Sequence, residues 1–161
     1  MDYANMKNSA NKIELNTLQI GKLGELLVQY QLLQHGVESA HLTTDAGIDL
    51  VAYSIKAHAK TIQVKTNLQP KPAGGKGSLG LDWWFPEDSP AELIALTDIS
   101  DNRVWMFTLS QAAEFSQQTS SGRHHMYMYI DAAVKATSGK PSHVYKFDDF
   151  LLENCVEKHF F

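Results

Sequence analysis

Four polar side chains lie where the sequence otherwise predicts core-forming elements. Asp49 opens an apolar strand, and Gln63 and Lys65 lie within the next strand. Glu25 falls in line with apolar residues of an earlier helix. A carboxylate in an apolar line is costly unless it is paired, bound to a cation or exposed at the edge of the packed face. These four residues are therefore candidates for a chemical site.

The oxygen atoms of these side chains suit a divalent cation such as Mg²⁺ or Mn²⁺. Such a cation can neutralise charge on a phosphoryl group and generate hydroxide near neutral pH. Glu25, Asp49 and Gln63 supply side-chain oxygens, and the backbone carbonyl of Val64 is a further candidate ligand. Because alternate strand residues share a face, Lys65 is expected roughly 7 Å from Gln63. From there it could orient a water molecule or stabilise developing negative charge.

The spacing of these residues resembles the PD-(D/E)xK nuclease superfamily, which has a restriction-endonuclease-like core. The similar branches are those related to archaeal Holliday-junction resolvases and methylation-directed restriction endonucleases. The matching segments are GKLGELLVQYQLLQHG (21–36), TTDAGIDLVAY (43–53) and IQVKT (62–66). The resemblance implies a Mg²⁺-dependent or Mn²⁺-dependent site that cleaves DNA, leaving 5′-phosphate and 3′-hydroxyl ends. By position, its catalytic residues are Glu25, Asp49, Gln63 and Lys65.

Two positions depart from the commoner family pattern. Residue 48 is Ile rather than Pro, which affects little beyond the name of the motif. Gln63 stands where an acid is more usual, so the chain is a QxK variant. The amide removes one negative charge from the predicted metal site and is expected to weaken its affinity for a cation.

The surrounding pattern predicts an α/β (α+β) fold with a central mixed β-sheet flanked by helices. Asn16 or Thr17 can cap a helix that runs to about His35, with Gly36 as its stop. Its main apolar stripe is predicted to contain Ile20, Leu23, Leu27 and Tyr30, and a second stripe Leu18, Val28 and Leu32. Strands are predicted at 37–43, 48–55, 61–66, 79–84, 93–99, 104–109 and 124–130, with 143–147 as a further extended candidate. Residues 70–80 are predicted to form a loop, 110–117 a short helix, and the segment after Asp148 or Asp149 a final helix.

The charge distribution favours a nucleic-acid partner more than the total charge does. The net charge is −4, but no acid lies between Asp49 and Asp82, a stretch that contains five lysines. The lysines predicted to contact the DNA backbone are Lys56, Lys60, Lys71 and Lys76. The alternative is a chance cluster on a solvated surface.

Length and composition predict one domain, at residues 15–161, after a polar N-terminal tail at 1–14. Hydrophobic residues make up 43% of the 161 residues and charged residues 20%, as in globular proteins. No apolar run approaches the roughly 20 residues that span a bilayer, and residues 1–12 lack the apolar core of a signal peptide. Cys155 is the only cysteine, which fits a cytoplasmic protein, and its context predicts a packed thiol.

The predicted function is metal-dependent hydrolysis of DNA, duplex or branched, and a homodimer is compatible with cutting both strands. A catalytically weak or inactive fold that binds nucleic acid or protein is the main alternative. A third possibility, a small-molecule-binding domain, would place Glu25 far from Asp49.

Several other residues are predicted to be structural. His124 and His125 face opposite sides of a strand and do not form a shared metal site. Trp83, Trp84 and Phe85 could stack on bases, but packing is the simpler expectation, as it is for Tyr127 and Tyr129 on one strand face.

Overall fold

The computed structural model describes residues 14–44 and 46–161. The helices are α1 (Thr17–Gln34), α2 (Leu109–Phe115) and α3 (Leu152–Phe160). The strands are β1 (Glu38–His41), β2 (Leu50–Tyr53), β3 (Lys60–Asn67), β4 (Lys71–Pro72), β5 (Leu79–Pro86), β6 (Leu93–Asp98), β7 (Arg103–Thr108), β8 (Gln118–Ser120) and β9 (Arg123–Tyr129). The predicted tail at 1–14 lies outside the described residues except for Glu14, which is exposed.

The first sheet has five strands in the order β1-β2-β3-β6-β7. Strands β3 and β6 are parallel, whereas the other neighbours are antiparallel. Helix α1 packs against β1, β3 and β6, and α3 packs against β7. Every residue of β6 is buried, which makes it the strand most enclosed by the core. The predicted mixed sheet flanked by helices is confirmed.

The predicted limits of α1 are also confirmed. Asn16 is the N-cap and forms a reciprocal pair of hydrogen bonds with Gln19, and His35 is the C-cap. The predicted stripes are partly wrong. Val28 and Leu32 of the second stripe are buried, and Leu27 of the main stripe packs against the core, but Tyr30 is 62% exposed and Leu18 85% exposed.

A close approach at Gly24 explains the buried face of α1. A Cβ atom at Gly24 would overlap Thr66 Oγ1 and come within 2.9 Å of Thr97 Oγ1. The missing side chain therefore lets the helix lie directly on β3 and β6. Val28 and Leu32 follow Gly24 at spacings of four residues, so they lie on the same side of the helix. This contact also sets the position of the neighbouring Glu25 above β3.

Replacing Gly24 by alanine is expected to destabilise the protein by about 1–3 kcal/mol, because the added methyl group overfills a packed contact. Gly21→Ala is the matched control on the same helix, since no atom lies within 4 Å of its added Cβ. The control is expected to be neutral or stabilising by about 0.5–1 kcal/mol, because alanine favours helix. Urea unfolding of the three proteins measures both effects. Equal stability of the two variants would contradict the close-packing explanation.

A second sheet of four antiparallel strands, in the order β4-β5-β9-β8, was not anticipated from the sequence. Its inner face is buried and contributes Leu81, Trp83, Phe85, Met126 and Met128 to a core shared with the first sheet. The predicted loop at 70–80 is partly wrong, because it contains β4. The strand predicted from residue 79 is confirmed as β5 and extends to Pro86.

The C-terminal segment differs in detail from its prediction. Residues 144–150 form 3-10 turns rather than an extended segment, and α3 begins at Leu152 without a side-chain cap from Asp148 or Asp149. Cys155 packs in the core as predicted, and burial raises the pKa of its thiol to about 11. None of the three described helices combines the length and hydrophobicity of a bilayer-spanning segment.

Candidate active site

The β2–β3 hairpin is confirmed and fixes the carboxylate of Asp49. Leu50 pairs with Ile62 and Val51 with Thr61, whereas β3 continues well beyond the beginning of β2. The backbone N–H of Val64 therefore lies past the end of the ladder between the two strands. It donates to Asp49 Oδ2 at 2.6 Å, and the backbone N–H of Asp49 donates to Ile62 O at 2.9 Å. The carboxylate of Asp49 thus takes the place of a backbone carbonyl of β2 as the acceptor for Val64. The backbone of β3 in turn holds the carboxylate in position.

Glu25 reaches the same region from α1. Its side chain is 17% exposed and forms an ion pair with Lys22, one turn earlier in the helix. His41, at the end of β1, places its Nε2 2.8 Å from Glu25 Oε2. Two basic side chains therefore surround this carboxylate in place of apolar neighbours.

Strand β3 contributes Gln63, Val64 and Lys65. Gln63 is only 4% exposed, and its amide oxygen accepts a hydrogen bond from the Ser89 hydroxyl at 3.1 Å. An amide oxygen has two lone pairs, so this bond leaves acceptor capacity for another partner. Val64 packs into the core under α1, as the alternation of β3 predicts.

All five predicted catalytic or metal-binding residues line one cleft of about 550 Å³ between α1 and the β2–β3 hairpin. They are Glu25, Asp49, Gln63, Val64 and Lys65. The small-molecule-binding alternative predicted that Glu25 would lie far from Asp49. The two residues instead line the same cleft.

The donor atoms at this cleft are hard oxygens: two carboxylates, one amide and the main chain of β3. This set fits Mg²⁺ or Mn²⁺. The residues that line the cleft include neither cysteine nor histidine, and the imidazole of His41 is near the site only through its contact with Glu25. In the described part of the chain, no group of three or more His, Cys, Asp or Glu side chains is placed to hold a metal. A cation at the cleft would therefore depend on the amide and backbone oxygens as well as on the two acids.

The predicted DNA-binding lysines are divided between distant parts of the surface. Lys71 lines the cleft, and Lys76 is exposed in the turn after β4. Lys60 begins β3, at the end away from the cleft, and Lys56 lies 5.6 Å from the ring centre of Phe161 at the C-terminus. Only Lys71 is thus in direct proximity to the candidate site.

Sequence reasoning missed three side chains that hold the site residues. Lys22 could have been found, because residues three apart on a helix are neighbours. His41 and Ser89 lie far from their partners in sequence, and no local pattern marks them.

Comparisons with known proteins show the class of fold. No protein-family model and no curated protein matches the sequence. At the level of fold, the chain is similar to an endonuclease. That structure is the bacterial homing endonuclease I-Ssp6803I, with a TM-score of 0.56 and 10% sequence identity over 76% of this chain and 84% of the other.

Proposed function

We propose that this protein is a metal-dependent endonuclease that hydrolyses phosphodiester bonds in DNA, with a PD-(D/E)xK site of the QxK type. The observation that carries the proposal is the convergence of Glu25, Asp49, Gln63 and Lys65 on one cleft. Glu25 comes from α1, Asp49 directly precedes β2, and Gln63 and Lys65 lie on β3, so their meeting is a property of the fold. Similarity in fold to a homing endonuclease supports the same class of reaction.

Glu25, Asp49, Gln63 and the carbonyl of Val64 would hold Mg²⁺ or Mn²⁺. When bound, the cation supplies charge neutralisation and an activated water. The hydrogen bond from the backbone of Val64 fixes the carboxylate of Asp49, and the Ser89 hydroxyl orients the amide of Gln63. Both contacts reduce the reorganisation that ligand binding would require.

Lys65 would stabilise negative charge that develops on the phosphate or orient the attacking water. Lys71, on the same cleft, would hold a neighbouring phosphate of the DNA backbone. Cleavage would leave 5′-phosphate and 3′-hydroxyl ends, and a homodimer would provide two sites for cutting both strands.

The test is incubation of the full chain with plasmid, branched and single-stranded DNA in Mg²⁺ or Mn²⁺, with EDTA as the blank. Lys65→Met is expected to slow cleavage by about 10²–10³-fold, the range for removal of one preorganised electrostatic contact. Lys158→Met, on the exposed surface of α3, is the matched control and should cleave like the wild type. Cleavage that survives EDTA, or equal rates for both variants, would refute the proposal.

A second candidate function is binding of nucleic acid or protein without cleavage. The contacts of Lys22 and His41 with Glu25, and of Ser89 with Gln63, favour it, because both residues are already engaged by protein groups. DNA binding in EDTA, without cleavage in either metal, would support this function instead.

A further inference from the structure

A continuous row of rings crosses the outer face of the second sheet. We call it the aromatic ladder, and it consists of Trp84, His125, Tyr127, Tyr129, His143 and Tyr145. Trp84 and His125 are stacked, with ring centres 4.1 Å apart and planes 2° apart. The later steps separate ring centres by 5.5–5.8 Å.

The strand register explains why the four rings on β5 and β9 face outward, whereas His143, which forms an isolated bridge with Tyr129, is buried at 8% exposure. Trp84 pairs with His125, and Gly80 with Tyr129, so these residues share one face of the sheet. The alternate residues face the buried core. A side chain at Gly80 would contact the ring of Tyr129, since its Cβ would lie 3.7 Å from that ring. The inner face of the second sheet supplies its core residues, and the rings of the ladder are not part of that core.

Cationic groups accompany the ladder. The guanidinium of Arg123 lies 5.2 Å from the ring centre of Trp84, and Lys146 Nζ lies 5.2 Å from that of Tyr145. The one acid on the paired part of this face, Asp82, contacts His125 Nε2 at 3.1 Å. The hydrogen bond between His125 Nε2 and the Asp82 carboxylate is the main cause of the lowered pKa of Asp82. Rings with cations at both ends suit a polymer of bases and phosphates.

The ladder also adjoins the candidate active site. A cavity of about 380 Å³ is lined by Lys71, His125, Tyr127 and Tyr129. Lys71 lines the active-site cleft as well. A strand that leaves the cleft past Lys71 would therefore run onto the rings.

We infer that the aromatic ladder binds unpaired nucleotides of the nucleic-acid substrate, with bases stacked on its rings, next to the bond that the cleft would cleave. The faces of paired bases inside a duplex are covered by their neighbours, so stacking on protein rings favours unpaired bases. This inference rests on the proposed function, since it assigns the ladder to the same substrate. It specifies that this substrate has a single-stranded segment beside the cleavage site.

Tryptophan fluorescence in EDTA tests the inference without requiring cleavage. Of the three tryptophans, Trp83 and Trp105 are 2% and 0% exposed, so quenching by an added base reports on Trp84. The probe is an oligothymidylate of about 12 nucleotides, within the site sizes of proteins that stack bases. We expect it to quench the wild type. We expect no quenching by an abasic oligonucleotide of equal length or by a fully paired duplex of two complementary strands without a loop.

Two variants remove rings from the ladder while keeping apolar strand residues. Tyr127→Leu and Tyr129→Leu should each weaken oligothymidylate binding by about fivefold or more. Tyr30→Leu, at an exposed tyrosine of α1, is the matched control and should bind like the wild type. Arg123→Gln leaves the rings intact and removes one cation. It should reduce the slope of the logarithm of the binding constant against the logarithm of the salt concentration by about one phosphate contact. Thermal unfolding of each variant confirms that it folds.

The outcomes separate this inference from the proposed function. Equal quenching by the duplex or the abasic strand, or wild-type binding by both folded tyrosine variants, overturns the inference whether or not DNA is cleaved. Base-dependent binding that the tyrosine variants weaken upholds the ladder as a site for unpaired bases. If no metal then supports cleavage, the endonuclease proposal fails, and only the placement of the ladder beside a cleaved bond fails with it.

Discussion

Asp49→Asn is expected to reduce DNA cleavage by about 10²–10³-fold while leaving the stability of the protein close to that of the wild type. The asparagine removes the negative charge that would hold the cation. Its amide oxygen keeps the shape and the acceptor that receive the hydrogen bond from the backbone N–H of Val64. Initial rates of plasmid cleavage at saturating Mg²⁺, together with urea unfolding, measure the two effects separately.

Two further variants complete this experiment: Asp49→Ala, which removes both the charge and the acceptor, and Asp149→Asn, the matched control. The alanine leaves the N–H of Val64 without its present acceptor, so the variant should lose about 1–3 kcal/mol of stability as well as cleavage. Asp149 is exposed beyond the cleft, and its replacement by asparagine should change neither property. Normal cleavage by Asp49→Asn would show that the carboxylate has only the structural role.

Gln63→Glu is expected to lower stability in EDTA and to raise affinity for Mg²⁺ by about tenfold, because cation affinity follows the charge of the ligands. Gln63 is almost fully buried beside Asp49, so a third carboxylate would be desolvated and repelled. Both effects raise the pKa of the new carboxyl above its ordinary value of about 4.3. The variant should therefore lose stability relative to the wild type as the pH rises above about 4.3.

Thermal unfolding of this variant across a Mg²⁺ titration, and across pH in EDTA, measures both expectations. Gln63→Met is the matched control, since it fills the site with neither charge nor oxygen. It should gain less stability from Mg²⁺ than Gln63→Glu and should follow the pH dependence of the wild type. A melting temperature of Gln63→Glu that does not depend on Mg²⁺ would contradict a metal site at Gln63.

Local patterns were sufficient to predict α1 and the β2–β3 hairpin. The cap at Asn16 and the alternation of β3 depend on neighbours in sequence, so a single sequence records them. The resemblance to a known family supplied the link between Glu25 and the hairpin, which no local pattern provides.

The parts that could not be predicted depend on contacts between distant residues. The buried face of α1 follows from the fit of Gly24 against Thr66 and Thr97, a steric fact that apolar spacing does not encode. The second sheet depends on pairing β5 with β9, nearly forty residues later in the chain. The division of the lysines has the same origin, because Lys56 and Lys71 flank a strand whose ends point to different sides of the protein.

The parallel pairing of β3 with β6 has a consequence for the order of folding. Gln63, Val64 and Lys65 pair with Ile94, Ala95 and Leu96, and the intervening chain forms β4 and β5 of the other sheet. A hairpin such as β2–β3 can form within microseconds, whereas a pairing across so long a connection must first overcome the entropy of loop closure. The contact between Asp49 and Val64 can therefore form early, but the cleft acquires its full geometry only after β6 has joined the sheet.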